Sequence, residues 1–369
     1  MTRLDNLGII SPVKFSKWAA PIVPVLKKDG SLRICGDYKI TINQASQVQT
    51  YPLPRVEELF SDLSGGKYFS KLDMSNAYLQ LPLDESSKEF VTINTHKGLF
   101  RYNRLPFGVS SAPAIFQRTI ESLLQGLKGI SVYLDDILVT GGTLEEHLDN
   151  LNCVLERLAS AGLRLNEKKC SFMLDSIEYL GHVIDAQGLH PTQLKTEALK
   201  NAPRPKNVSE FRSFLGIVTY YSKFLPNLSS KLTPLYTLLC KKTTWSWTSK
   251  QENAFQLAKE ALQADSLLVH YDSTKPLVLA CDASGYGLGA VLSHILPNGD
   301  ERPISYVSRT LNAAEKRYSQ LEKEGLAILF GVKKFHNYIF GRHFTIESDH
   351  QPLSFLFSEK KRHTTYGIC

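Results

Sequence analysis

Two adjacent carboxylates, Asp135 and Asp136, interrupt an otherwise apolar run, Ser131-Val132-Tyr133-Leu134-Asp135-Asp136-Ile137-Leu138-Val139. Ionised groups inside a buried strand are costly unless something pairs them or binds a cation there. Consecutive strand residues point to opposite faces. For both acids to act together the chain must turn at them, which predicts a hairpin with strands near 130–134 and 137–140. Read alone, the stretch fits an ordinary acidic turn as well as a catalytic one. Asp73 stands at the end of a second predicted strand, Lys67-Tyr68-Phe69-Ser70-Lys71-Leu72-Asp73-Met74. Three carboxylates with no obvious cationic partner nearby in sequence suit hard divalent ions, Mg²⁺ or Mn²⁺ rather than zinc. Two such ions about 3.5–4 Å apart stabilise the attacking and leaving oxygens of phosphoryl transfer. Lys27, Lys28 and Arg33 flank an Asp29-Gly30 hairpin signal and would neutralise a triphosphate there. A second acid set, Asp282, Glu324 and Asp349, would serve hydrolysis by the same logic, with water as nucleophile. A surface distribution of acids is the plain alternative for either set.

The elements that must position these groups follow from local pattern. Ile22 to Leu26 reads as a short edge-type strand because Pro21 and Pro24 punctuate it. Residues 55–63 read as a short amphipathic helix ended by Gly65-Gly66. Residues 90–94 and 98–102 form a second hairpin, and a helix is predicted over 114–127. Thr143-Leu144-Glu145-Glu146 is a capping box, and Leu144, Leu148, Leu151, Leu155 and Leu158 follow at helical spacing as a core stripe. Residues 177–184 suggest a third hairpin. A Pro-rich basic linker at 201–207 then opens a mostly helical stretch to residue 262, interrupted over 241–247. Beyond it come strands near 277–281, 285–292, 303–308 and 344–349, with a helix over 313–338. These readings divide the chain into residues 1–185, 186–262 and 263–369.

A chain of 369 residues is long enough for two or three domains. Its 43% hydrophobic content is that of an ordinary globular protein. No apolar run spans a bilayer and no signal-peptide profile opens the chain, so no membrane partner and an intracellular, non-secreted location are expected. The six cysteines form no CxxC pair or zinc-spaced cluster and read as reduced thiols. A net charge of +7 is compatible with a polyanionic partner.

In order and spacing these motifs resemble the reverse transcriptase and RNase H region of gypsy-type LTR retrotransposon Pol polyproteins, over nearly the whole chain. Tyr133-Leu134-Asp135-Asp136 matches the Tyr-x-Asp-Asp box, and Tyr68-Phe69-Ser70-Lys71-Leu72-Asp73 the strand of the first catalytic Asp. The 27–38 segment is similar to the fingers hairpin, and Leu105-Pro106-Phe107-Gly108 with Ser111-Ala112-Pro113 and Phe116-Gln117 to the nucleotide-side loop and helix. Tyr179-Leu180-Gly181-His182 resembles the primer grip, and Phe214-Leu215-Gly216 with Tyr220-Tyr221 and Phe224 the thumb–connection signature. Asp282-Ala283-Ser284, Glu322-Lys323-Glu324 and Ser348-Asp349-His350 resemble the RNase H acid motifs.

The resemblance implies a fold of mixed α/β and α+β domains: a right-hand polymerase of fingers, palm and thumb, then a connection and an RNase H-like domain incomplete at its C-terminal end. It implies an RNA-directed DNA polymerase acting on an RNA or DNA template with primer and dNTPs, in particle-associated cytoplasmic or nuclear settings. Asp73, Asp135 and Asp136 would hold two Mg²⁺ or Mn²⁺ ions. Lys27, Lys28 and Arg33 would contact triphosphate, with the dominant lysine left open. Tyr78 would be the steric gate against a ribose 2′-hydroxyl, Phe107 would line the nucleotide pocket, and Leu180 and Gly181 would place the primer end. Asp282, Glu324 and Asp349 would hold the RNase H metals, Glu324 being chosen over Glu322 by its spacing to Asp349. The family's RNase H domain carries a fourth acid that this sequence does not supply, so weak metal retention and weak or absent RNase H activity are expected. Two other readings stay open: a catalytically inactive retroelement remnant that binds nucleic acid, and an unrelated metal nuclease. The nuclease reading leaves the basic finger and the Leu-Pro-Phe-Gly loop unexplained.

Overall fold

The computed structural model describes residues 1–27, 30–45, 51–239, 245–261, 267–349 and 352–353. The chain divides into two compact units at Ile177/Glu178.

The first unit is built on two sheets. Strands β1 (Ile10–Val13), β2 (Ala20–Leu26), β3 (Leu32–Gly36), β5 (Thr92–Thr95) and β6 (Gly98–Tyr102) form one, in the order β1-β6-β5-β2-β3. Strand β3 is the sheet edge and β2 is internal only at its start, so the Pro-punctuated run from Ile22 to Leu26 pairs on one side only, with β3, as its edge-type reading expects. The prolines are tolerated because β2 pairs with β5 only at Ala20 and Pro21, which leaves that side of Pro24 outside the ladder.

Strands β4 (Tyr68–Asp73), β7 (Ile130–Tyr133), β8 (Asp136–Gly141) and β9 (Ser171–Leu174) form the second sheet, in the order β7-β8-β4-β9. Alternation along β4 buries Ser70 and Leu72 and leaves Lys71 and Asp73 partly open. Leu72, Val132, Ile137 and Val139 pack with Phe116 and Ile120 of the helix Ala112–Leu124 and with Val154 and Leu158 of the helix Leu144–Ser160. Each such buried side chain contributes about 1.5–3 kcal/mol, so the sheet that carries the acids is held firmly from behind. Thr143 caps the second helix, its Oγ1 accepting from the Glu146 amide at 3.2 Å. The leucine stripe is core only in its later part. Leu151 and Leu158 are buried, whereas Leu144 and Leu148 are each 48% exposed, because the first turns face the sheet with His147, which is buried with its Nε2 2.8 Å from Ser70 Oγ, and so turn those two leucines away.

The chain enters the second unit within β10 (Ser176–Tyr179), which with β11 (His182–Asp185) and β12 (Leu189–Pro191) forms a three-stranded sheet in chain order. Helices follow, among them Val208–Tyr220, capped by Asn207, and Ser249–Ala261. A four-stranded sheet then joins β13 (Leu277–Ala283), β14 (Gly287–Ile295), β15 (Glu301–Thr310) and β16 (Thr345–Glu347) in the order β15-β14-β13-β16, with β16 parallel to β13. The helix expected over 313–338 is shorter, Gln320–Lys334, because a Ser319/Glu322 capping box starts it and Phe335 leaves helical geometry. Gly331 lets it approach β13: a β-carbon there would stand 3.0 Å from the Cys281 Sγ. Among the described residues no helix is long and apolar enough to cross a membrane.

Candidate active site

Ladder pairing of β4 with β8 sets Asp73 directly opposite Asp136, and β7 with β8 sets Tyr133 opposite Asp136. The turn between β7 and β8 is thus Leu134-Asp135. Leu134 adopts φ +55°, a left-handed conformation that a branched side chain occupies only under strain. Gln117 holds the turn in place. Its fully buried amide accepts from the Leu134 N–H at 2.6 Å and donates to the Val132 carbonyl at 2.8 Å and to Glu121 Oε1 at 2.7 Å. The backbone tightens the cluster further, with the Met74 amide donating to the Asp135 carbonyl at 3.0 Å and the Asn166 amide to the Asp73 carbonyl at 2.8 Å. The sequence motif had placed Gln117 beside the nucleotide loop without a role. Its signal was a long amide one residue after the core Phe116.

Each outer carboxylate meets a lysine. Lys71 Nζ lies 2.9 Å from Asp136 Oδ2, and Lys169 Nζ lies 3.4 Å from Asp73 Oδ2. Asp136 is pushed above the usual carboxylate range, chiefly by burial. Lys71 opposes the shift, and the charges of Asp135 and Asp73 add to it. The three acids are therefore close enough to repel one another. Among the described residues no group of three or more His, Cys, Asp or Glu is already arranged to hold a metal ion. The donor set still fits a hard divalent cation: it is all carboxylate oxygen, with the mutual repulsion such an ion relieves. Fitting one requires the lysines to give up their acids.

A second group converges on the same turn from the five-stranded sheet and the Leu-Pro-Phe-Gly loop. The Arg33 guanidinium lies 4.3 Å from the Phe107 ring centroid. Tyr78 stands 5.2 Å from Phe107 and 5.5 Å from Phe116, centroid to centroid. Its hydroxyl is raised by burial first and then by the charge of Asp135, against a smaller opposing effect of Arg33. Arg33, Phe107, Tyr78 and Asp135 thus share one neighbourhood. The loop is fastened to β3 by the Gly36 amide, which donates to the Phe107 carbonyl at 3.2 Å, and Gly108 (φ +104°) has backbone where a β-carbon would be, 2.1 Å from the Gly36 oxygen. Lys27 sits at the start of the β2–β3 turn, its carbonyl accepting from the Gly30 amide at 3.0 Å. Lys28 lies outside the described residues.

In the second unit, Leu180 (φ +46°) and Gly181 (φ +69°) form the turn between β10 and β11. Of the other acids, Asp282 is exposed on β13 opposite Gly289, and Asp349 is exposed beyond β16. Both line a cavity of about 590 Å³ with Ala280, Cys281 and residues 346–348. Glu324 does not line it. It is buried and accepts from Gln320 Nε2 at 2.6 Å; burial, aided by the Glu324 charge, pushes the Cys281 thiol up to about 12. Glu322 spends its carboxylate on Ser319 in the capping box.

Residues 25–184 match the family model for reverse transcriptase (RNA-dependent DNA polymerase), and residues 247–346 match that for the RNase H-like domain found in reverse transcriptase. The chain is 38% identical over 364 residues to the retrovirus-related Pol polyprotein from transposon 297 of Drosophila melanogaster, covering 96% of this chain and 34% of that protein. It is 35% identical over 339 residues to the transposon Tf2-3 polyprotein of Schizosaccharomyces pombe, covering 91% of this chain and 25% of the polyprotein. It therefore spans about a third or less of the length of these relatives. Among solved structures it resembles the foamy viral protease-reverse transcriptase in complex with dsDNA (TM-score 0.87, 27% identity, 96% of this chain and 74% of that one). The same viral protein in complex with an RNA/DNA hybrid aligns with TM-score 0.79 and 26% identity over 95% of this chain and 48% of that one.

Proposed function

Since this chain belongs to the reverse transcriptase family, as the reverse transcriptase and RNase H-like region of a retrotransposon Pol polyprotein, we propose that it is an RNA-directed DNA polymerase working on a primed RNA or DNA template with dNTPs. The observation that carries this reading is the pairing of Asp73 with Asp136 beside a turn whose Asp135 is near enough for its charge to act on Tyr78, which itself packs on Phe107 beneath Arg33. Asp73, Asp135 and Asp136 hold the divalent ions, Mg²⁺ or Mn²⁺, which when bound supply positive charge to the attacking and leaving oxygens of nucleotidyl transfer. Arg33, with Lys27 and Lys28, neutralises the triphosphate. Phe107 carries the nucleotide, and Tyr78 excludes a ribose 2′-hydroxyl. Leu180 and Gly181 place the primer end. Support for a nucleic-acid duplex as partner comes from the viral relatives, whose solved complexes hold dsDNA and an RNA/DNA hybrid.

The division of labour follows the three stretches read from the sequence: fingers and palm over 1–185, thumb and connection over 186–262, RNase H-like domain over 263–369. Hydrolysis of RNA–DNA hybrid by the last stretch is weak in this reading, because Asp282 and Asp349 share a cavity that Glu324 does not line. Primer extension on an RNA template tests the polymerase. Incorporation abolished by Asp135→Asn supports it. Template binding without incorporation in the unsubstituted chain would replace it with a non-catalytic nucleic-acid binder.

A further inference from the structure

The Leu180–Gly181 turn has both central residues at positive φ, yet its first is leucine rather than the asparagine or glycine such a turn favours. A strained turn persists only where its surroundings over-determine it. Here the surroundings are two consecutive tyrosines. The Tyr220 hydroxyl donates to the Leu180 carbonyl, and the Tyr221 hydroxyl donates to the Gly181 carbonyl at 2.6 Å. Thr192 Oγ1 lies 3.3 Å from the Tyr221 hydroxyl and backs it from the buried side. The Leu180 carbonyl has a second neighbour in His182 Nδ1, at 2.8 Å. A β-carbon on Gly181 would lie 3.5 Å from both tyrosine hydroxyls. The His182 ring lies within 6 Å of Tyr220, Tyr221 and Phe224, its ring stacked on Phe224 at 5.7 Å. Tyr221 is 2% exposed and Tyr220 48% exposed, so one anchors the turn from the core and the other from the surface.

We infer that Tyr220 and Tyr221 are positioning residues that clamp the two carbonyls of the Leu180–Gly181 turn and thereby set where the primer's terminal nucleotide lies. The inference rests on the assignment of that turn to the primer end. Packing alone would ask only for aromatic rings, which phenylalanine supplies. The clamp needs the hydroxyls. Without them the turn keeps its aromatic bed but loses the bonds that fix the direction of its carbonyls. The attacking hydroxyl then strays from alignment, which slows the chemical step far more than it weakens binding.

The test uses the full chain with Tyr220→Phe, Tyr221→Phe, the double variant, and Gly181→Ala as a probe of the turn itself. Each is measured by thermal melting, by primer–template affinity, by the split of kcat from the dNTP KM, and by the fluorescence of 2-aminopurine at the primer 3′ end. The last readout reports terminus placement without requiring catalysis. The double variant is expected to stay folded with a modestly lowered melting temperature from the two lost hydrogen bonds, to bind primer–template like the parent and to keep its dNTP KM. Its kcat falls about tenfold or more, and its 2-aminopurine signal changes in the bound complex. If the double variant leaves kcat and the 2-aminopurine signal unchanged while Gly181→Ala alters them, the clamp is wrong and the primer-end assignment survives. If neither alters them, the assignment falls and the clamp with it.

Discussion

Lys71 Nζ stands 2.9 Å from Asp136 Oδ2, and Asp136 is itself paired across the ladder with Asp73, two residues beyond Lys71 on β4. One strand thus supplies both an acid to the site and the cation that occupies another acid.

Lys71→Met should therefore ease divalent-ion binding, because the ion no longer competes with a tethered ammonium. Mn²⁺ titration followed by electron paramagnetic resonance, without nucleic acid, should show tighter binding, with Asp136→Asn showing weaker binding as the reference. Stability should change by no more than about 1 kcal/mol, since the pair is partly solvated, with side chains 26% and 28% exposed. Unchanged or weaker Mn²⁺ binding in Lys71→Met would refute the competition.

Gln117→Leu removes the partner of the Leu134 N–H and of the Val132 carbonyl. Leaving buried polar groups unpaired costs about 1–3 kcal/mol, to be read as a lowered urea midpoint. Primer extension should fall more steeply than stability, because the released amide is that of the turn holding Asp135. A variant that loses stability but keeps full kcat would limit Gln117 to a packing role.

Tyr78→Val should admit ribonucleotides. The ring fills the space between Phe107 and Phe116, and opening a steric selection of this size is worth about 1–3 kcal/mol, or ten- to two-hundred-fold in the dNTP/rNTP ratio of kcat/KM. Tyr78→Phe keeps the ring and should keep the discrimination. Equal selectivity in parent and Tyr78→Val would move the gate elsewhere.

Acid should loosen the second unit through His182. Burial, with a smaller contribution from Lys223, lowers its pKa from 6.5 to about 3, while the Leu180 carbonyl opposes the shift. The folded state refuses a proton that the unfolded chain accepts. The stability is therefore fully present above pH 6.5 and is lost progressively as pH falls toward 3. Melting temperature followed from pH 7.5 to 5 should drop, and His182→Phe should flatten the slope. His270 and His294 shift in the same direction, so a residual slope is expected.

The acid-bearing hairpin was legible because strand periodicity and the demand that two carboxylates act together leave few geometries. The structure turns one residue earlier than expected, at Leu134-Asp135, so Asp136 opens β8 instead of sharing the tip with Asp135. The bracing of that turn by Gln117 was not legible, because a buried amide declares itself only through partners that folding brings near. The same holds for Lys71 and Lys169, whose pairing with Asp136 and Asp73 depends on which side of the sheet each occupies. Helical spacing found the later leucines of 144–158, but the buried face begins at His147, which bonds Ser70 of β4, and a polar side chain on that face is declared only by its partner, so Leu144 and Leu148 escaped burial. The proline rule served for the run from Ile22 to Leu26, which keeps one side unpaired, but it could not foresee that a second partner joins the strand at Ala20 and Pro21.

The meeting of Gly36 and Gly108 couples two parts that sequence keeps far apart. With 2.1 Å between one glycine's missing β-carbon and the other's oxygen, and a 3.2 Å amide bond beside it, neither strand β3 nor the Phe107 loop can slide past the other. The cationic wall at Arg33 and the aromatic floor at Phe107 therefore travel as a single jaw. If the site takes a nucleotide as proposed, the motion that admits it must hinge outside this jaw. A methyl group at position 108 would wedge wall from floor, and no substitution confined to either surface could restore their spacing.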